Sequence, residues 1–290
     1  MKKMNWVLIL LMLANLVVFF GYQALVRIRT DTTAPEIEIS SQLLELSVQE
    51  PKTALLQGVS AKDNRDGDVT DSLVIESISM KDRDGTVTVG YAAFDKAGNV
   101  TKAEREVRYT DYKSPKFTVK GPLIYPYGTT FDVLSTVGAK DFLDGDIQHR
   151  VRASAMEEDT ISGLGIHNVQ FQVTNSLGDT VKLVLPVEVY SADEYNARMT
   201  LKEYLIDVSP GAVFVPEAYL DTFMVMGKEI SLRAGLPEDY ELDTTGQVMS
   251  QYPGVYPVEY RVTYTQRNRT NPELDQKYVA YSKLIVVVEE

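Results

Sequence analysis

Oxygen-bearing side chains gather in a few short turns of this 290-residue chain. Asp63, Asp66 and Asp68 crowd around Gly67, and Asp95 and Asn99 follow. A second set repeats the first: Asp141, Asp144 and Asp146 surround Gly145, then Asn175 and Asp179 follow, with Asp111 lying between the two sets. Carboxylates at this density suit a hard cation such as Ca²⁺, which takes about six to eight oxygen ligands. The same residues also serve tight turns, because Asp and Asn bond nearby backbone N–H groups and Gly tolerates positive φ. The spacing lacks the bidentate Glu that closes an EF-hand loop. Both readings stand on the sequence.

Other chemistries have weaker footing. The chain has no cysteine, which excludes disulfides, thiolate metal sites, a thiol nucleophile and lipoprotein acylation. Its only histidines are His149 and His167, and neither falls in a Ser/His/Asp pattern or beside a phosphate loop. An enzyme is therefore not expected. Acids number 41 against 29 bases, and four of those bases (Lys2, Lys3, Arg27, Arg29) precede residue 30. The remainder is strongly acidic and repels phosphate backbones, so nucleic acid is not an expected partner.

The elements that must carry these turns read as strands. Thr86–Phe94, Asn168–Thr174 and Gly254–Tyr264 alternate apolar and polar residues and end at Gly, Asn, Asp or Pro. Such alternation predicts antiparallel sheets with one buried face, paired into sandwiches. The strands also recur. Thr30–Ile37 (TDTTAPEI) returns as Thr110–Phe117 (TDYKSPKF), and Val89–Asn99 returns as Val169–Asp179, each 80 residues on. Val59–Val69 returns as Val137–Ile147 after 78. Three ordered matches at nearly constant offset predict duplicated domains. A third, divergent copy keeps Pro253-Gly254-Val255-Tyr256 and the strand after it, but no Asp-Gly-Asp. The expected organisation is 1–29 as a transmembrane signal anchor, then repeats over 30–112, 113–191 and 192–290. Short linkers near Asp111–Pro115 and Ser191–Glu194 predict end-to-end stacking.

These residues resemble the bacterial surface immunoglobulin-like family. Its repeats carry an Ala-x-Asp-x-x-Asp-Gly-Asp element and a later Gly-x-Tyr-x-Val-x-Tyr…Asp-x-Ala-Gly-Asn element. Here the first copy has Ala61, Asp63, Asp66, Gly67 and Asp68, then Tyr91, Asp95, Ala97, Gly98 and Asn99. The second keeps Ala139, Asp141, Asp144, Gly145, Asp146, Phe171 and Gly178, but has Asn175 and Asp179 where the family has Asp and Asn. The resemblance implies an all-β fold of tandem immunoglobulin-like antiparallel β-sandwiches, used as spacer or adhesive modules. It implies no particular ligand.

In an immunoglobulin strand order the Asp-Gly-Asp loop and the Asp95–Asn99 turn share one end of a sandwich with the start of the first strand, where Asp31 or Asp111 enters. Asp111, Asp141, Asp144, Asp146, Asn175 and Asp179 are thus expected to converge between the first two repeats. Ca²⁺ is the cofactor this would admit.

Trp6–Val26 is an apolar run long enough for a hydrocarbon core about 30 Å thick. A cleaved signal peptide would place Tyr22 where a small residue is expected, so an uncleaved anchor is the expectation. The flanking bases nearly balance, and the exported character of the repeats orients the chain with its N-terminus cytoplasmic and its C-terminal domains extracytoplasmic. Gln266–Asn271 forms one basic protrusion on an acidic molecule. Leu284–Glu290 reads as a final strand with no wall-sorting motif. The expected function is a non-enzymatic, membrane-anchored surface stalk, adhesion or scaffold protein that binds a protein or a cell-wall polysaccharide. The alternative is an accessory subunit docking on an envelope complex through the third repeat.

Overall fold

The computed structural model describes residues 2–82, 85–155, 163–191, 195–268 and 270–289. Residues 192–194, at the expected second boundary, and Arg269, in the basic protrusion, lie outside them. The chain forms two compact units, Met1–Tyr112 and Lys113–Glu290.

The first unit opens with helix α1 (Lys2–Arg29). Its stretch Leu8–Val26 has a mean hydropathy of 2.1 and none of it is buried in the protein. That makes it one helix long and apolar enough to cross a membrane. Asn15, the polar interruption, donates its side-chain amide to the Leu11 carbonyl at 3.0 Å. A polar group in an apolar helix is satisfied in this way without a partner from outside.

Seven strands follow: β1 (Glu36–Ile39), β2 (Leu43–Leu46), β3 (Val59–Asp63), β4 (Gly67–Asp68), β5 (Val74–Ile78), β6 (Thr86–Phe94) and β7 (Val100–Tyr109). They make a sheet β1-β3-β4 and a sheet β2-β7-β6-β5. The first strand is broken between β1 and β2 so that it serves both sheets. At the break the Ser40 N–H donates to the Gly58 carbonyl at 2.9 Å. Gly58 has φ +69°, which strains any residue with a side chain, and a Cβ there would stand 2.1 Å from Ser40 Oγ and force it to turn away. One consequence departs from the all-antiparallel expectation: β2 runs parallel to β7.

The second unit repeats this plan twice. Strands β8 (Lys116–Val119), β9 (Ile124–Pro126), β10 (Val137–Asp141), β11 (Gly145–Asp146), β12 (Arg152–Ala155), β13 (Gly165–Thr174) and β14 (Thr180–Tyr190) form sheets β8-β10-β11 and β12-β13-β14-β9. A single helical turn, α2 (Val133–Thr136), is capped by Asp132, whose carboxylate accepts the Leu134 N–H. Strands β15 (Arg198–Leu201), β16 (Leu205–Val208), β17 (Leu220–Val225), β18 (Lys228–Ser231), β19 (Tyr240–Thr245), β20 (Gly254–Gln266) and β21 (Gln276–Val288) form sheets β15-β17-β18 and β16-β21-β20-β19. The divergent third copy therefore has the same two sheets and the same parallel pairing, β16 with β21. The fold is three tandem immunoglobulin-like β-sandwiches behind one apolar helix.

Period-two burial builds each core. Val169, Phe171 and Val173 of β13 meet Leu185 and Val187 of β14. Val258, Tyr260 and Val262 of β20 meet Ala280, Leu284 and Val286 of β21. Each such side chain contributes about 1.5–3 kcal/mol relative to exposure. Cross-strand pairing also lines up Tyr240, Tyr264 and Tyr278, with ring centroids 4.8 and 6.0 Å apart.

The run Leu284-Ile285-Val286-Val287-Val288 breaks the alternation because β21 is covered on both faces. Leu284 and Val286 enter the third core, whereas Ile285 is buried in the core of the second sandwich with Val287 packed against it. Lys283 is 1% exposed and pairs with Glu188 of β14, and Tyr281 donates its hydroxyl to the same carboxylate. Burial, and then that contact, push the Tyr281 phenol well above its usual pKa. Lys116 closes the seam outside, paired with Asp207 at 3.0 Å and with Glu289. The second and third sandwiches are thus joined through shared buried side chains, not only through a short linker.

Candidate functional site: the acidic turns

In the first repeat the turns are tied together by backbone donors. Asp63, at the end of β3, accepts the N–H groups of Arg65 and Asp66 on Oδ1 at 2.8 and 2.7 Å. Asp66 reaches across to the turn after β6 and accepts the Lys96 N–H at 2.8 Å. Asp68 accepts the Thr70 N–H and starts the short helical turn before β5. Asp95 accepts the Asn99 N–H at 2.7 Å on Oδ1 and the Asn99 amide on Oδ2. Asn99 also donates to the carbonyls of Asp31 and Thr33, which pins the entry of the chain against this turn.

The second repeat reproduces the scaffold. Asp141 Oδ1 accepts the N–H groups of Leu143 and Asp144. Asp144 accepts the Ser176 N–H and pairs with Arg150. Asp146 accepts the Gln148 N–H, and Asp179 accepts the Ser114 hydroxyl at 2.8 Å. Asp111 spends its carboxylate within the first unit, on Ser47 Oγ at 2.6 Å and Val48 N–H at 2.7 Å. The loop after the second strand and the last turn thus meet in both copies, and most of the candidate residues bond local donors there.

Three carboxylates of the first repeat do more than this. Asp31, Asp63 and Asp95 each offer an oxygen, and the three oxygens lie within 4.8 Å of one another. Asp63 and Asp95 are each 8% exposed. Asp63 Oδ2 is buried and accepts no hydrogen bond. Asp31 is met at 3.6 Å by the Arg65 guanidinium and accepts the Thr33 N–H. The N–H groups of Asp66 and Arg65 hold the Asp63 carboxyl below its usual pKa. For Asp95, burial works upward, but the Asn99 donors and the Gly98 N–H outweigh it and hold the group low. Both stay ionised at neutral pH. Asp31 lies outside the spacing motif, and the immunoglobulin strand order, which brings the start of the first strand to this end of the sandwich, was its signal.

The histidines stay outside the acidic turns. His149 is exposed, and His167 bonds the Gly163 carbonyl at 2.7 Å.

No protein-family model matches the chain, and no curated protein matches it. Among solved structures it is similar to the CBM51-2 and INT domains of ZmpB from Clostridium perfringens, at 17% identity over 53% of this chain and 41% of that one, with a TM-score of 0.22. It is also similar to the extracellular domain of protocadherin gammaB4, at 11% identity over 89% and 50% of the two chains, with a TM-score of 0.20. A third is the lipoprotein BT2262 from Bacteroides thetaiotaomicron, at 14% identity over 87% and 98%, with a TM-score of 0.19. The chain spans about two-fifths and half of the length of the first two.

Proposed function

We propose that this chain is a non-enzymatic, single-pass surface protein of the bacterial immunoglobulin-like type, with its N-terminus cytoplasmic and its sandwiches outside. They serve there as a stalk or scaffold that presents the third repeat to a protein or wall polysaccharide. The observation that carries the reading is the helix Leu8–Val26, apolar over its length and with no part buried in the protein, joined directly to tandem sandwiches. An apolar surface of that size in water would drive aggregation; a bilayer accommodates it.

The absence of cysteine makes the test clean. Single variants Asp71→Cys and Ser135→Cys, placed at exposed or partly exposed turns, are treated on intact cells with a membrane-impermeant maleimide. Both should label without permeabilisation. Labelling that requires permeabilised cells would overturn the orientation. Co-purification of the full chain after mild detergent extraction, set against its binding to purified wall polymer, then separates a defined membrane complex from a wall polymer as the partner.

A further inference from the structure

We propose that the first repeat binds one divalent cation of the calcium kind through Asp31, Asp63 and Asp95, and that the second repeat has replaced this ion with the amide of Asn175. The proposal rests on a comparison within the chain. In both copies the Asp at the end of the second strand uses Oδ1 for the same two backbone N–H groups, so the two side chains share an orientation. In the second copy the other oxygen, Asp141 Oδ2, accepts Asn175 Nδ2 at 3.0 Å. In the first copy the residue at that place is Asp95, which cannot donate when ionised. Asp63 Oδ2 is left buried and unpartnered, and an oxygen of Asp63 lies within 4.8 Å of an oxygen of Asp95.

A buried, unpaired carboxylate oxygen facing another carboxylate is costly, and something positive must answer it. Arg65 answers only in part, since it stands 3.6 Å from Asp31 and is half exposed. Three acidic side chains facing one guanidinium leave a deficit of two charges, which a divalent ion closes. The spacing suits it: two oxygens about 2.4 Å from one Ca²⁺ on opposite sides are about 4.8 Å apart, the separation within which these atoms lie. Water completes the shell on the exposed side. The inference does not depend on the orientation of the chain in a membrane.

The test uses the full chain in detergent. Calorimetric titration with CaCl₂ should show about one bound ion per chain, and the thermal transition of the first unit should rise by several degrees between chelator and millimolar calcium. Asp95→Asn, which removes one ligand charge, should abolish both responses; paired with Asn99→Asp, as in the second repeat's Asn175 and Asp179, it should also raise the transition measured in chelator. Asp31→Asn, which leaves the buried pair alone, should weaken calcium binding at least tenfold without stabilising the chelated protein. A wild-type chain that neither binds calcium nor shifts would overturn the proposal, with Arg65 then a sufficient counter-charge. So would an Asp95→Asn variant that still responds. If Asp95→Asn does not fold, the wild-type titration and Asp31→Asn decide.

Discussion

The first and second repeats share a backbone plan and solve the same two positions in opposite ways. At the centre of the first, Tyr91 and Arg105 form a polar knot. Arg105 is 2% exposed and donates to the carbonyls of Gln57 and Leu55 and to the Tyr91 hydroxyl, which itself donates to Leu55. Eighty residues on, the same places hold Phe171 and Leu185, both fully buried in an apolar core. At the turns the first repeat sets Asp95 where the second has Asn175. The first copy thus buries Arg105 and two turn carboxylates, Asp63 and Asp95, whereas the second buries one turn carboxylate, Asp141, against the neutral amide of Asn175. A duplicated sandwich tolerates either solution only if both members of each pair change together, because half an exchange strands a buried polar group.

Splitting the knot should produce the largest effect. Arg105→Leu alone leaves the Leu55 and Gln57 carbonyls without donors and should cost about 3 kcal/mol in the first unit, read by denaturant titration. The double variant Tyr91→Phe/Arg105→Leu, which copies the second repeat, should cost less than the sum of the two single changes by about 1 kcal/mol. Strict additivity would mean that the two residues do not act as a pair.

The reverse exchange at the turns comes next. Asn175→Asp removes the donor to Asp141 Oδ2 and places two carboxylates face to face, so the second unit should lose about 2 kcal/mol in chelator. Calcium should restore less than it does in the first repeat, because Asp111 already bonds Ser47 and Val48. Full restoration would show that two carboxylates are enough to hold the ion.

Acidification should separate the units further. Asp63, Asp68, Asp95 and Asp111, all in the first unit, are held below their ordinary pKa by hydrogen bonds to the ionised form. A depressed folded pKa gives stability that is present above the unfolded value, near 3.9, and is lost as pH falls through the folded value. In the second unit Asp221 is held low in the same manner by Arg233. The first unit should therefore weaken sooner below about pH 4, followed by the pepsin susceptibility of each unit. Calcium should move its onset to lower pH.

Much of this contrast was legible in the sequence. Strands, repeats and the apolar helix followed from periodicity, and the joined turns from the strand order. What escaped was what depends on neighbours. Arg105 stands in the inward register of β7 with Val107, and a charged residue in that register was the available sign of a buried knot. The Leu284–Val288 run has apolar residues in both registers, which signals burial on two faces, but nothing local names the second sandwich as the cover. The strand order brought Asp31 to the acidic end, but that its carboxylate, with those of Asp63 and Asp95, would close to within 4.8 Å is a matter of tertiary structure.

The third repeat extends the comparison at the smallest scale. Where the first two copies turn through Asp-Gly-Asp, it joins β17 to β18 by Met226-Gly227, between the paired residues Val225 and Lys228. Both turn residues have positive φ, 50° and 73°, the signature of a type I′ turn, in which Asn-Gly is preferred and a side chain like Met is strained. Met226→Asn should relieve that strain and stabilise the second unit by about 0.5 kcal/mol. The opposing term is the Tyr278 hydroxyl, which lies 3.3 Å from Met226 Sδ and would lose that contact. A loss of stability on substitution would mean that the sulfur contact outweighs the backbone, and that the third repeat, having given up the acidic turn, holds its hairpin through the Tyr278 side chain instead.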